Sequence, residues 1–362
     1  HGRGMDGLIP SSAPLDCGNS GTTMRLCMGL LSGRPFESVL IGDASLTRRP
    51  MKRVADPMQL MGAQIAMSNG LYPPVTIHGT SLQGIDYSTP IASAQVKSAL
   101  LLAGLQASGK TRVIEPSLSR NHTELMLEQM GANIVYSGCE TEIEASSLNP
   151  LGHYRVAGDQ SSAAFLVAAA VLLPDANCSI EHVGFNPTRT GFFDTLKSMG
   201  APIEISMTTT IGEPIATLST SSATLRSFML NGDALVRAID EVPILAVLAT
   251  QAQGRSVISD AAELRVKESD RLATTAAMLN AMGARVEETP DGLIIEGPTP
   301  LRPASIQCHH DHRIALAGAV AGLIAEGDGW TELHGGDCAD VSYPTFFQDI
   351  QKISDAAVER VT

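Results

Sequence analysis

The chain has 362 residues, enough for two domains at roughly 100–200 residues each. Hydrophobic residues at 44% and charged residues at 17% exclude a disordered chain, and a net charge of −13 with only 4% aromatics argues against a nucleic-acid binder. The longest apolar run, Ala163 to Leu173, is far shorter than the roughly 20 residues of a membrane-spanning helix, and six cysteines without a CxxC pair read as reduced thiols of a cytoplasmic protein.

Taken in chain order, five apolar stretches each open on a polar cluster and predict buried helices. They are GNSGTTMRLCMGLL from Gly18, SAQVKSALLLAGL from Ser93, DQSSAAFLVAAAVLL from Asp159, DEVPILAVLA from Asp240 and DHRIALAGAVAGLI from Asp311. In the first, Met24, Cys27, Met28 and Leu31 share one helical face. Between them lie four amphipathic segments ending in Met-Gly-Ala, at Gly62, Gly131, Gly200 and Gly283. Glycine there takes the left-handed C-cap conformation at little cost. Short strands such as Pro74–His78, Thr111–Ile114 and Gly292–Ile295 fill the gaps.

The repeat is therefore a unit of roughly 70 residues, present five times. Two compact α/β domains accommodate such units, with residues 1–157 as a first lobe of two units and residues 158–362 as a second of three. An odd count implies a sixth unit before His1. The helix starts carry more Asp, Arg, Lys, Gln, Ser and Asn than capping requires. Free N–H groups and the positive end of the macrodipole make helix N-termini anion sites, so several of them suit a ligand with phosphates or carboxylates.

The individual motifs point the same way. LDCGNSGTTMRL, from Leu15, sets glycines and hydroxyls before a helix but lacks the GK[ST] of a P-loop. GDASLTRRP presents Arg48 and Arg49, PIASAQVKSALLLAG presents Ser93, Gln95 and Lys97, and EPSLSRNHTELML presents Ser119, Arg120 and His122. Paired acids Asp240 and Glu241 precede a helix, ELRVKESDRL packs charges before another, and HHDHRIALA ends in Arg313.

Together, from about Gly7 to about Phe347 and in the same order, these motifs resemble the 5-enolpyruvylshikimate-3-phosphate synthase family of enolpyruvyl transferases. The resemblance implies a two-domain inside-out α/β barrel built from βαβαββ units, five visible here of six. It implies transfer of the enolpyruvyl group of phosphoenolpyruvate to the 5-hydroxyl of shikimate 3-phosphate, with release of phosphate, in chorismate biosynthesis. No metal or organic cofactor is implied, the partners are the two small-molecule substrates rather than nucleic acid or membrane, and the protein is expected to be a monomer. The triplet His309, His310 and His312 is accordingly not expected to hold a metal.

By the same resemblance Asp240 is proton acceptor and shikimate-ring ligand, and Glu268 is the second acid/base group. Lys267, Ser93, Ala94, Gln95, Ser119 and Arg120 contact shikimate 3-phosphate, with Gln95 also reaching phosphoenolpyruvate. Arg49, Arg271 and Arg313 bind the phosphate and carboxylate of phosphoenolpyruvate, for which Arg offers bidentate geometry. Gly21 is a close-approach position beside that substrate, where an added methyl crowds the inhibitor glyphosate. Arg25 is expected to be structural. The sequence departs from the family pattern in lacking the first unit's Lys-Ser…Arg segment, and in Ser342, near where many relatives carry a lysine. Two other readings are a truncated, non-catalytic chain and a UDP-N-acetylglucosamine enolpyruvyl transferase. The latter has a loop cysteine where Ala44 stands here.

Overall fold

The computed structural model describes residues 4–209, 212–354 and 356–360. The chain divides into two compact units, His1–Arg155 and Val156–Thr362.

In the first unit, β1 (Leu15–Asp16), α1 (Gly21–Ser32), β2 (Glu37–Ile41), α2 (Lys52–Leu60), β3 (Gln64–Ser68) and β4 (Tyr72–His78) follow in order. The sheet runs β1-β2-β4-β3, with β1 parallel to β2 and the remaining pairs antiparallel. The pattern then repeats with β5 (Asp86–Ser88), α3 (Ala94–Gly104), β6 (Thr111–Ile114), α4 (His122–Gln129), β7 (Ile134–Ser137) and β8 (Glu140–Ile143), in the order β5-β6-β8-β7. Each repeat is a βαβαββ unit. α1 and α3 pack on each other, and Met24, Met28, Val96, Ala99 and Leu100 are sealed in their shared core. Cys27, expected on that face, is only half-buried, whereas Arg25 and Gly29 are buried. A Cβ on Gly29 would meet the Ala99 carbonyl oxygen at 2.1 Å, so the two helix backbones touch there.

The second unit opens with α5 (Gln160–Leu172), β9 (Asn177–Gly184), α6 (Gly191–Ser198), β10 (Ile203–Thr209) and β11 (Ile215–Ser221). The strand order is β10-β11-β9, and Gly158 bridges Val183 in parallel where the other repeats have a first strand. Next come β12 (Met229–Leu230), α7 (Gly232–Val236), α8 (Val242–Gln251), β13 (Gly254–Ile258), α9 (Arg271–Ala281), β14 (Arg285–Thr289) and β15 (Gly292–Gly297), ordered β12-β13-β15-β14. Last are β16 (Ser305–Gln307), α10 (His312–Leu323), β17 (Glu332–His334) and α11 (Phe346–Ile353). Among the described residues this fifth repeat ends as βαβα, where the sequence led us to expect a full unit; β16 and β17 pair alone.

α5, α8 and α10 pack against one another and form the centre of the larger core. α8 is buried from Val242 through Thr250. Three of these helix starts are held by side-chain caps: Ser20 on α1, Asp159 on α5 and Asp311 on α10. The Met-Gly-Ala glycines all lie at positive φ, between 78° at Gly131 and 96° at Gly62. That is the conformation in which a helix C-terminus turns into a strand. Among the described residues, no helix is long and apolar enough to cross a membrane.

Candidate active site

In the first unit the starts of α1 and α3 meet through side chains. Arg25 Nη1 donates to Gln95 Oε1 at 2.7 Å, Gln95 Nε2 donates to Thr22 Oγ1 at 2.7 Å, and Arg25 Nη2 reaches the Pro50 carbonyl at 3.3 Å. Arg25, expected to be structural, thus grips Gln95 in the first turn of α3 and Pro50, the residue next to Arg49. Arg49 itself is half-buried, and its Nη2 donates to Asn19 Oδ1 at 2.9 Å and to Ser45 Oγ at 3.0 Å. Asn19 is held in turn by Asp43 Oδ2 at 2.7 Å, and Asp43 also accepts the Ser45 and Leu46 N–H groups. Burial pushes the Asp43 carboxyl up, but these hydrogen bonds and nearby Arg49 outweigh it and keep the pKa below the ordinary value. Gly21 is buried at the α1 start, with Arg25 and Arg49 the nearest side chains to a Cβ there.

Ser93 caps α3 without a side-chain cap bond, and Ala94 and Gln95 form the first turn. The Ser93 N–H donates to Glu115 Oε1 at 3.0 Å. Ser119 is buried, and its Oγ has no hydrogen-bond partner among the described residues. A buried hydroxyl left unmatched costs free energy. Arg120 follows it, two residues before α4.

In the second unit Arg271 is the hub. It begins α9, is 2% exposed, and is the largest fully buried side chain among the described residues. Its Nε and Nη2 reach Asp311 at 2.8 and 3.2 Å, Nη2 reaches Glu268 Oε2 at 2.6 Å, and Nη1 reaches Asp240 Oδ1 at 3.3 Å. Burial disfavours the guanidinium, but the three carboxylates outweigh it and drive its pKa further up. Asp240 sits in a 3₁₀ turn, Ile239–Glu241, before α8. Lys267 Nζ lies 3.5 Å from Glu263 Oε1. Arg313 Nη1 lies 3.5 Å from Glu241 Oε1, its guanidinium stands 6.0 Å from the Phe165 ring centre, and its Nε is buried without a hydrogen-bond partner among the described residues. Glu241 also accepts from Ser161, which receives Arg189, and Arg189 pairs with Asp159 at 3.1 Å. The starts of α5, α8, α9 and α10 are thereby linked by charge.

His312 opens α10 and is half-buried. Burial first, then Arg313 and Arg271, push its pKa down to about 4 against the opposing pull of Asp311 and Glu268. His309 and His310 are exposed, at φ 51° and 56°. Ser342 is exposed after a 3₁₀ turn.

The structure therefore gathers Gly21, Arg49 and Gln95 in the first unit, and Asp240, Glu268 and Arg271 in the second. Sequence reasoning passed over Asp311, which accepts from two nitrogens of Arg271, and Asn19 and Asp43, of which the first holds Arg49 and the second holds Asn19. Asp311 was visible as the cap immediately before His312 and Arg313. Asn19 carried no signal that set it apart from a turn residue.

Helix starts loaded with Arg, Lys and carboxylates in an α/β scaffold define an enzyme for small anionic substrates. Residues 1–350 match the family model EPSP synthase (3-phosphoshikimate 1-carboxyvinyltransferase). The chain is 47% identical to the 3-phosphoshikimate 1-carboxyvinyltransferase of Brevibacillus brevis over 98% of this chain and 83% of that one. It is 49% identical to the Synechococcus sp. enzyme of the same name, over 97% and 82%. The solved EPSP synthase of Acinetobacter baumannii superposes with a TM-score of 0.85 at 43% identity, covering 98% of this chain and 81% of that one. The chain belongs to the EPSP synthase family and is a transferase of aromatic amino-acid biosynthesis by the shikimate pathway.

Proposed function

We propose that Asp240 and Glu268 carry the proton transfers of the family's reaction, the movement of the enolpyruvyl group of phosphoenolpyruvate to the 5-hydroxyl of shikimate 3-phosphate. The hydroxyl oxygen adds to the enol carbon as its proton leaves to a carboxylate, and the methylene carbon takes a proton. Phosphate and one methyl proton then depart, restoring the double bond. Asp240 serves as base and ring ligand, and Glu268 as the second acid/base group. Arg49, Gln95, Arg271 and Arg313 hold phosphoenolpyruvate, with Gly21 leaving room for it. Ser93, Ala94, Gln95, Ser119, Arg120 and Lys267 hold shikimate 3-phosphate.

The observation that carries this reading is the Arg271 guanidinium, which touches Asp240 and Glu268 at once. One cation holding two carboxylates sets them within reach of one small substrate and lets their environments differ. Glu268→Gln tests it by phosphate release. Shikimate 3-phosphate affinity should stay within about threefold while turnover falls by roughly 10²–10⁴. Turnover within about twofold of the parent would remove Glu268 from the chemistry.

The reading also makes the protein a cytoplasmic monomer acting on small molecules without nucleic acid; the six free cysteines support the compartment and the net charge of −13 the absence of nucleic acid. Sedimentation equilibrium at micromolar concentration checks the oligomeric state.

A further inference from the structure

Beneath the Ser93 and Ser119 loops lies an ionic triad that no part of the reaction uses. Lys97 Nζ is 2.8 Å from Glu115 Oε2 and 2.8 Å from Glu124 Oε1, and none of the three side chains is more than 2% exposed. Lys97 is in the second turn of α3, Glu115 follows β6 directly, and Glu124 is in the first turn of α4. The second oxygen of Glu115, Oε1, accepts the Ser93 N–H. Alongside, Ser98 Oγ and Thr123 Oγ1 are hydrogen-bonded at 2.7 Å and join α3 to α4 a second time.

The arrangement is costly for stability. Two carboxylates face one ammonium in a dry interior, and buried ion pairs are commonly matched or bettered by apolar residues of similar volume. An excess negative charge also adds nothing to an anion site. What the triad does supply is geometry. Glu115 and Glu124 are the two ends of the segment bearing Ser119 and Arg120, and one ammonium fixes both ends. The same Glu115 fixes the backbone of Ser93. Three contacts of one half-site are thus referenced to a single buried point.

We infer that the Lys97–Glu115–Glu124 triad is the positioning element of the sugar-phosphate half-site, setting the Ser93 and Ser119–Arg120 loops in register with each other. This rests on the reading of those loops as contacts to the 3-phosphate.

The test is calorimetric titration of the protein with shikimate 3-phosphate, beside steady-state kinetics. The Lys97→Met/Glu115→Leu/Glu124→Leu variant should unfold at the same or higher denaturant concentration. It should bind shikimate 3-phosphate at least about tenfold more weakly and raise its KM in proportion, with kcat within about threefold. Lys97→Arg should keep most of the affinity that Lys97→Met loses. Arg120→Met is the control for the underlying reading. If it weakens binding while the triple variant binds as the parent does, the triad is not the positioning element. If Arg120→Met itself leaves affinity unchanged, the reading of the loop fails and the inference with it. If the triple variant does not fold, Glu124→Gln decides, because it frees the α4 end and leaves the Lys97–Glu115 pair. Tenfold weaker binding supports the inference, and unchanged binding overturns it.

Discussion

Gly21 and Arg25 lie one turn apart on the same face of α1, and a Cβ on Gly21 would come within 2.7 Å of Arg25 Nη1. That nitrogen is the donor to Gln95 Oε1. The space above Gly21 and the placement of Gln95 are therefore coupled through one guanidinium, which has a flexible stem and can give way.

Gly21→Ala should displace the Arg25 end and loosen Gln95. Crowding in a packed site costs about 1–3 kcal/mol, or roughly 5- to 150-fold in binding. We expect the parent enzyme to be inhibited by glyphosate and the variant to be inhibited more weakly by a factor in that range, with a smaller rise in KM for phosphoenolpyruvate. Inhibition constants for both proteins check this. Millimolar inhibition of the parent, unchanged by the alanine, would show that another residue decides.

Asp240→Asn keeps the shape and removes the proposed base. Turnover should drop by roughly 10²–10⁴ with shikimate 3-phosphate still bound. A near-normal turnover number would take Asp240 out of the catalytic role.

Arg271→Met should unfold the protein far more easily than a surface substitution. Asp311, fully buried, would lose its counter-ion, and stranding a buried charge costs about 3–5 kcal/mol. Urea denaturation measures the loss. Arg271→Met/Asp311→Asn should recover part of it. A double variant as unstable as the sum of the two single ones would argue that the pair is not coupled.

Acid should destabilise the protein in two windows. His312 takes its proton near 6.5 when unfolded but only near about 4 in the fold. Between those values the unfolded chain holds more protons, so stability falls as pH drops from 6.5 to about 4. For Asp311, burial pushes the carboxyl up, but Arg271 outweighs it and holds the pKa below 3.8. Its contribution is present above 3.8 and is lost as pH falls through the lowered value. Melting temperature against pH should show both slopes, and His312→Gln should flatten only the upper one. An unaltered upper slope would assign it to other groups.

The repeat was legible because it is written in backbone requirements. Gly62, Gly131, Gly200 and Gly283 each mark a left-handed residue, and the apolar runs at Met24, Phe165 and Ile314 each mark a helix with little solvent-facing surface. The polar helix starts were legible for the same reason, since capping alone did not account for them. The Lys97 triad was not. Lys97, Glu115 and Glu124 are separated along the chain, and a charge on a helix reads as solvated until the fold shows it sealed. The brevity of the fifth repeat was also hidden, because strand pairs are defined by partners and not by local composition.

Gly29 gives α1 and α3 a fulcrum. The helices touch at Gly29 and Ala99, eight and four residues from Gly21 and Gln95, or roughly 12 and 6 Å along their axes at 1.5 Å per residue. A side chain at 29 would pry the helices apart in mid-span and tilt both ends at once. On the proposed roles of Gly21 and Gln95, substrate discrimination would respond to a position outside the proposed contacts, and a library confined to those contacts would never sample it.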